Sequence, residues 1–415
     1  MLNVNNVPGN LNANIGARLL GYRKNLCAVF LASWQKYQTA KSDKYRKTGN
    51  LGLSTQHKMK SIKQVTLTTW ANPGTIEAAH ILTSRGKRKK RAVRMYDENR
   101  EAFSRQLSID IIEGTYVAAP YAPATIIDGG KERELLKSPY RDHVVRRAFM
   151  SKLELYILSS LVPFTYAALP ERGSTRALQH VRSALLHDLQ NTRYCLKLDV
   201  RKYFASVNRE VLKDKFSKKF RDKDTVSFAS TLIDEPPGTG LPIGNYTSQW
   251  FANMYLSDFD HWVLRELNVK HYYRYMDDIV ILADSKERLH QVLRRIERYM
   301  AEELHLAIKD NYQIFPVEAR GIDYVGYRIW RNRVILRKTT FNRLRKTARR
   351  LNRTAKQRQL TQEELSSLFA YLGRAKFCTK KARQTIYQNY FKETIDLAEP
   401  YLKKKTVRKI RKLYT

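Results

Sequence analysis

The stretch Tyr272–Asp284, Tyr-Tyr-Arg-Tyr-Met-Asp-Asp-Ile-Val-Ile-Leu-Ala-Asp, decides how the rest of this chain is read. Two runs rich in aromatic and β-branched residues flank the adjacent carboxylates Asp277 and Asp278. Such runs read as strands, so the carboxylates fall at or near the turn of a hairpin. Two like charges placed there repel each other. A divalent cation, which takes oxygen ligands, offsets that repulsion. The competing reading is a solvated acidic turn, which Asp-Asp alone would favour, so the surrounding chain has to decide.

Composition narrows the partner. Lys and Arg total 77 against 39 Asp and Glu, a net charge of +38 over 415 residues, which points to a polyanion. A hydrophobic fraction of 43% supports a real core and excludes a disordered chain. Nucleic acid leads as partner; an anionic membrane surface is the alternative, but no apolar run is long enough to span a bilayer. The three cysteines, Cys27, Cys195 and Cys378, are scattered and odd in number. That argues for a reducing cytoplasm, without a disulfide framework or a zinc site.

Upstream of the hairpin, Tyr194–Val200 (Tyr-Cys-Leu-Lys-Leu-Asp-Val) reads as a buried strand ending on Asp199. A carboxylate there needs a partner, and the choice is a metal or a helix N-cap. Gly238–Asn253 is a Gly/Pro loop entering a helix that should continue to about Leu267, and Gly244 permits close backbone approach to a ligand. Further back, Lys131 and Arg133 follow a Gly-Gly turn between extended segments, a setting that suits phosphate contacts or merely an exposed hairpin. Asp97–Leu107, on to Gly114, and Ser138 to about Leu161 read as helices. Downstream, Ser285–Leu304 reads as an amphipathic helix, Leu306–Pro316 and Gly321–Ile329 as strands, and Val334–Leu336 as a strand pairing back. Phe341–Gln359, Thr361–Leu372 and Ala382–Ala398 read as basic helices. Arg85–Arg91 carries six basic residues in seven, either a solvated linker or a phosphate-tracking arm. The tail from Lys403 to Lys412 is also strongly basic.

Taken in order, these segments resemble reverse transcriptases over roughly Tyr96–Leu372. Tyr275-Met276-Asp277-Asp278 is similar to the catalytic Tyr-x-Asp-Asp box, and Lys197-Leu198-Asp199 with Phe204 to the first palm motif. Leu241-Pro242-Ile243-Gly244 through Ser248 is similar to the nucleotide-and-template loop, and Tyr324-Val325-Gly326-Tyr327 to the primer grip. The resemblance implies an α+β right-hand polymerase. It would have a basic N-terminal extension over 1–95, fingers over 96–195, and a palm over 196–336 with a fingers insertion near 208–240. A helical basic thumb and tail would occupy 337–415.

The resemblance further implies an RNA-directed DNA polymerase using two Mg²⁺ ions and deoxynucleoside triphosphates. Asp199, Val200, Asp277 and Asp278 would be metal ligands, with Asp278 in a weaker role. Lys309 is the candidate acid for the leaving pyrophosphate. Lys131, Arg133, Phe204, Ile243 and Gly244 would contact the incoming nucleotide. Tyr324, Val325, Gly326 and Tyr327 would contact the primer, and template RNA and the RNA–DNA duplex would be partners.

Ile243-Gly244 stands where most reverse transcriptases carry Gln-Gly. Ser138-Pro139-Tyr140-Arg141-Asp142-His143-Val144-Val145 and Lys309–Pro316, followed by Arg320-Gly321-Ile322-Asp323, resemble the enzymes of diversity-generating retroelements. Those enzymes misincorporate opposite template adenines and work with a pentameric basic accessory protein. The alternative is another bacterial reverse transcriptase, such as a phage-defence enzyme with templated or template-independent synthesis. A cytoplasmic location, with no membrane partner, is expected.

Overall fold

The computed structural model describes residues 61–128 and 131–414. The expectations for residues 1–60 and for the Gly129-Gly130 turn lie outside the described residues.

The palm is a four-stranded antiparallel sheet in the order β4-β5-β3-β6, with β3 Tyr194–Asp199, β4 His271–Tyr275, β5 Asp278–Ala283 and β6 Gln313–Pro316. Apolar residues are buried on both faces, Cys195, Val280 and Leu282 among them, so the register shows in the strand pairing and not in an alternating pattern. Leu196 pairs with Ile281, Leu198 with Ile279, and Asp199 with Asp278. Leu196, Leu198, Ile279 and Ile281 are buried and form one face. Lys197, Asp199 and Asp278 lie on the other, since residues two apart on a strand, or directly opposite across a pair, point the same way. Helix Lys286–Leu304 covers the sheet with Leu289, Val292, Leu293, Ile296 and Met300, all buried at helical spacing.

On the fingers side, β1 Ala122–Asp128 and β2 Lys131–Lys137 form an antiparallel hairpin that leads into helix Tyr140–Ser160. Helices Leu67–Trp70 and Pro73–Thr83 pack on that helix, with Trp70 fully buried and its ring 5.1 Å from Phe149. The basic run Arg85–Arg91 is exposed throughout.

Beyond the palm, β7 Ile322–Tyr324, β8 Tyr327–Ile329 and β9 Val334–Leu336 form a small antiparallel sheet, with β9 pairing back as expected. Helices Lys338–Gln357, Gln362–Ala375, Lys380–Tyr390, Lys392–Ala398 and Lys404–Tyr414 complete the chain. Thr361 and Glu364 close the expected capping box.

Three helices expected to be continuous are broken. One break falls at Asn99, between Arg91–Glu98 and Arg100–Ile112. The others fall at Leu256, between Tyr246–Tyr255 and Ser257–Arg265, and at Phe391. Leu256 and Phe391 are both fully buried, so the kink carries an apolar side chain into the core, a tertiary demand that periodicity does not reveal. The basic tail is likewise a helix packed by Val407, Ile410 and Tyr414, whose ring stacks on Tyr387.

Candidate active site

The site is built on the β4–β5 turn. Tyr275 pairs with Asp278, so Met276 and Asp277 form a two-residue connection. Met276 has φ +59°, a left-handed conformation that is costly for a long side chain, on the order of 1–3 kcal/mol. Arg274 holds it from beneath. Its guanidinium donates to the Met276 carbonyl at 3.1 Å and to both oxygens of Asp260 at 2.7 and 2.6 Å, with both side chains fully buried. Tyr272 donates to the same Asp260 at 2.5 Å. Neither Arg274 nor Asp260 stood out in the sequence as a site residue. The cue was a buried-strand Arg beside the acidic box, which in an apolar interior requires a carboxylate partner.

Asp199 lies at the end of β3, its Cα paired with that of Asp278. The Val200 amide donates to the Asp277 carbonyl at 3.3 Å, which brings the turn against the end of β3. Asp199 and Asp277 are therefore brought together. The Asp199 side chain is 32% exposed, and the Lys309 Nζ stands 3.9 Å from it, while the Lys309 amide donates to the Asp199 carbonyl at 2.9 Å. Lys309 is thus at the site with its amine half-exposed.

Asp278 has different company. The Lys197 ammonium donates to its two oxygens at 3.0 and 3.1 Å. Burial, and secondarily the charge of Asp199, push the Asp278 carboxyl up to about 6, with Lys197 opposing. Among the described residues, no group of three or more His, Cys, Asp or Glu forms a ready-made metal cage. Asp199 and Asp277 are both only partly buried.

The Gly238–Asn253 loop is fastened to the first palm motif by backbone. The Leu241 amide donates to the Phe204 carbonyl at 2.7 Å. At Gly240, with φ +68°, a Cβ would lie 2.4 Å from that same carbonyl oxygen, so only glycine permits the approach. Arg209 clamps the loop, donating to the carbonyls of Gly240, Asp234 and Pro236, each at 2.8 Å. Gly240 and Arg209 are loop-shaping positions that the sequence reading missed. A Gly-Thr-Gly spacing was the only available signal. Phe204 is half-buried beside Tyr203, and Ile243 is 41% exposed at the loop surface. Gly244 has φ +111° and is exposed.

The fingers are tied to this loop by the buried Arg146. It donates to Ser138 and Tyr121 at 2.6 Å and to Glu235 at 2.7 Å, and Asn245 donates to Tyr121 at 2.7 Å. Lys131 and Arg133 lie on β2, opposite Asp128 and Ile126. Of the expected primer-grip residues, Tyr324 is fully buried and Tyr327 nearly so, its hydroxyl donating to the Arg374 carbonyl at 3.0 Å. Val325, at φ +44°, and Gly326 form the half-exposed turn between them.

Residues 138–329 match the reverse transcriptase (RNA-dependent DNA polymerase) family. No curated protein sequence matches the chain. Solved structures similar to it include telomerase from Candida albicans with a fragment of telomeric RNA, at 11% identity and TM-score 0.42, covering 73% of this chain and 64% of that one. Apo telomerase from Candida tropicalis matches at 12% identity and TM-score 0.44, covering 71% and 61%. The chain thus spans less than two thirds of the length of these structures. No described helix is long and apolar enough to cross a membrane. The carboxylate-bearing hairpin, the glycine-tied loop and the match to the reverse transcriptase (RNA-dependent DNA polymerase) family all fall on the same segment, residues 138–329.

Proposed function

We propose that this chain copies a template RNA into cDNA in a diversity-generating retroelement and misincorporates chiefly opposite template adenines. The exposed Ile243 carries this reading. At the surface of the nucleotide loop it offers an apolar, β-branched side chain with no hydrogen bond to give. A correct pair and a mispair then differ less in transition-state binding, and selectivity is that difference. One missing hydrogen bond of about 1 kcal/mol is worth roughly fivefold, a contribution to infidelity and not the whole of it.

Asp199 and Asp277, with the Val200 carbonyl, would hold two Mg²⁺ ions. Two partly buried carboxylates fit Mg²⁺, which is usually bound by one or two carboxylates plus substrate phosphates. When bound, the ions activate the primer 3′-hydroxyl and neutralise the triphosphate charge. Met276 and Arg274 fix the height of Asp277. Phe204 lies beside the loop where the sugar would sit and would exclude a 2′-hydroxyl. Lys309 would protonate the leaving pyrophosphate, and Lys131 and Arg133 would take the triphosphate from the fingers. Val325 and Gly326 would meet the primer, between the buried Tyr324 and Tyr327.

The exposed basic residues of the thumb would track the RNA–DNA duplex through its phosphates. A pentameric basic accessory protein would be the partner. Since both proteins would be basic, shared RNA would bridge them. Sequencing cDNA made from a defined RNA tests the reading. Errors concentrated at adenines, reduced about fivefold by Ile243→Gln, are expected. Low, base-independent error would remove the diversity-generating role and leave the polymerase assignment standing.

A further inference from the structure

We propose that Lys197 is a positioning residue that couples the catalytic hairpin to the root of the thumb, and that Asp278 serves this coupling rather than holding metal. The inference rests on the proposed assignment of Asp199 and Asp277 as the metal-holding carboxylates.

An ammonium has three donors, and the Lys197 Nζ has three acceptors within reach. Two are the oxygens of Asp278 at 3.0 and 3.1 Å; the third is the Asp323 carbonyl at 2.6 Å. Asp323 belongs to β7, in the small sheet beyond the palm. Lys197 and Asp278 are 17% and 21% exposed, so the pair is only weakly screened by water. The network continues outward. The Asp323 carboxylate pairs with Arg337, and the Arg337 amide donates to the Gly326 carbonyl at 2.9 Å. Arg337 is the N-cap of the first thumb helix, Lys338–Gln357. One continuous chain of ionic and hydrogen-bonded contacts therefore joins the second carboxylate of the hairpin, the β7–β8 turn and the thumb. With both oxygens already engaged by Lys197, Asp278 is held as an anchor.

The test uses wild type, Asp277→Asn, Asp278→Asn, Lys197→Met, the Asp278→Asn/Lys197→Met double variant and Arg337→Gln. Two readouts are needed: the Mg²⁺ dependence of single-nucleotide addition, and product length per binding event on an RNA-templated primer. Asp278→Asn and Lys197→Met should each shorten products about tenfold, a typical cost for a group that orients a site residue. Neither should change the Mg²⁺ requirement by more than about twofold, and the double variant should be no worse than the worse single, as expected for two members of one unit. A Mg²⁺ requirement raised by Asp278→Asn alone, or losses that multiply, would overturn the proposal. Should Lys197→Met fail to fold, Arg337→Gln carries the test from a half-exposed position. Shorter products with unchanged Mg²⁺ demand are expected, and wild-type length would overturn the coupling. Polymerisation by Asp277→Asn near the wild-type rate would instead show that the underlying carboxylate assignment is wrong, whatever Lys197 does.

Discussion

The palm hairpin and the first thumb helix use charge in opposite ways. Around the β4–β5 turn, charged groups are few, and two are held by close partners: Arg274 by Asp260 and Lys197 by Asp278. Along Lys338–Gln357, cations are many and mostly exposed, with Arg343, Arg345, Lys346, Arg349 and Arg353 outside any ion pair among the described residues. Only Leu344, Ala348 and Leu351 of that helix are buried. Low exposure and exact pairing make each of these charges individually costly to disturb. Exposed cations interact with phosphates through a screened, additive field. On the proposed function, the palm would act through single atoms and the thumb through a sum.

Breaking this contrast should be hardest at Asp277. Asp277→Asn should lower primer extension on the order of a thousandfold, because several kcal/mol of metal-derived charge stabilisation are lost. RNA binding, measured in parallel by filter retention, should stay near wild type, since no basic contact is removed.

Gly240→Val should come next. Its Cβ would meet the Phe204 carbonyl and its backbone would sit at positive φ. A penalty of about 1–3 kcal/mol is expected, visible as a lower unfolding midpoint and a raised KM for deoxynucleotides. An unchanged KM would mean that the loop does not position the nucleotide.

Phe204→Ala should relax sugar selection by about tenfold, comparable to removing a few methylenes' worth of steric discrimination. Competition between ribo- and deoxyribonucleotides measures it, and unchanged discrimination in an active variant would move the gate elsewhere. The smallest effect belongs to the thumb. Arg349→Gln should weaken RNA binding slightly and reduce the salt slope by about one, without touching fidelity. A tenfold loss from that one residue would erase the distinction between the two regions.

The palm was legible because its signals are local. The apolar run Tyr194–Val200 and the β-branched and aromatic runs of Tyr272–Ala283 set the strands, and a carboxylate pair between two strands has few uses. The packing of Trp70 and Ile76 beneath the fingers helix was not legible, since those residues lie in short helices whose burial is decided by partners far along the chain, Phe149 and Phe228 among them. The same reason hid Arg209 and Gly240: the acceptors of Arg209 are backbone carbonyls 25 to 31 residues away, which no side-chain pattern announces. The helix breaks at Leu256 and Phe391 were hidden because apolar residues at helical spacing look identical whether the helix continues or turns.

The measurement that bears most directly on the account is extension of a primer on a defined RNA, with Mg²⁺ and four deoxynucleoside triphosphates, comparing wild type with Asp277→Asn. The account predicts cDNA complementary to the template from wild type, none when the RNA is digested beforehand, and on the order of a thousandfold less from Asp277→Asn. Product of equal yield from the variant, or synthesis that continues after the RNA is destroyed, would contradict it.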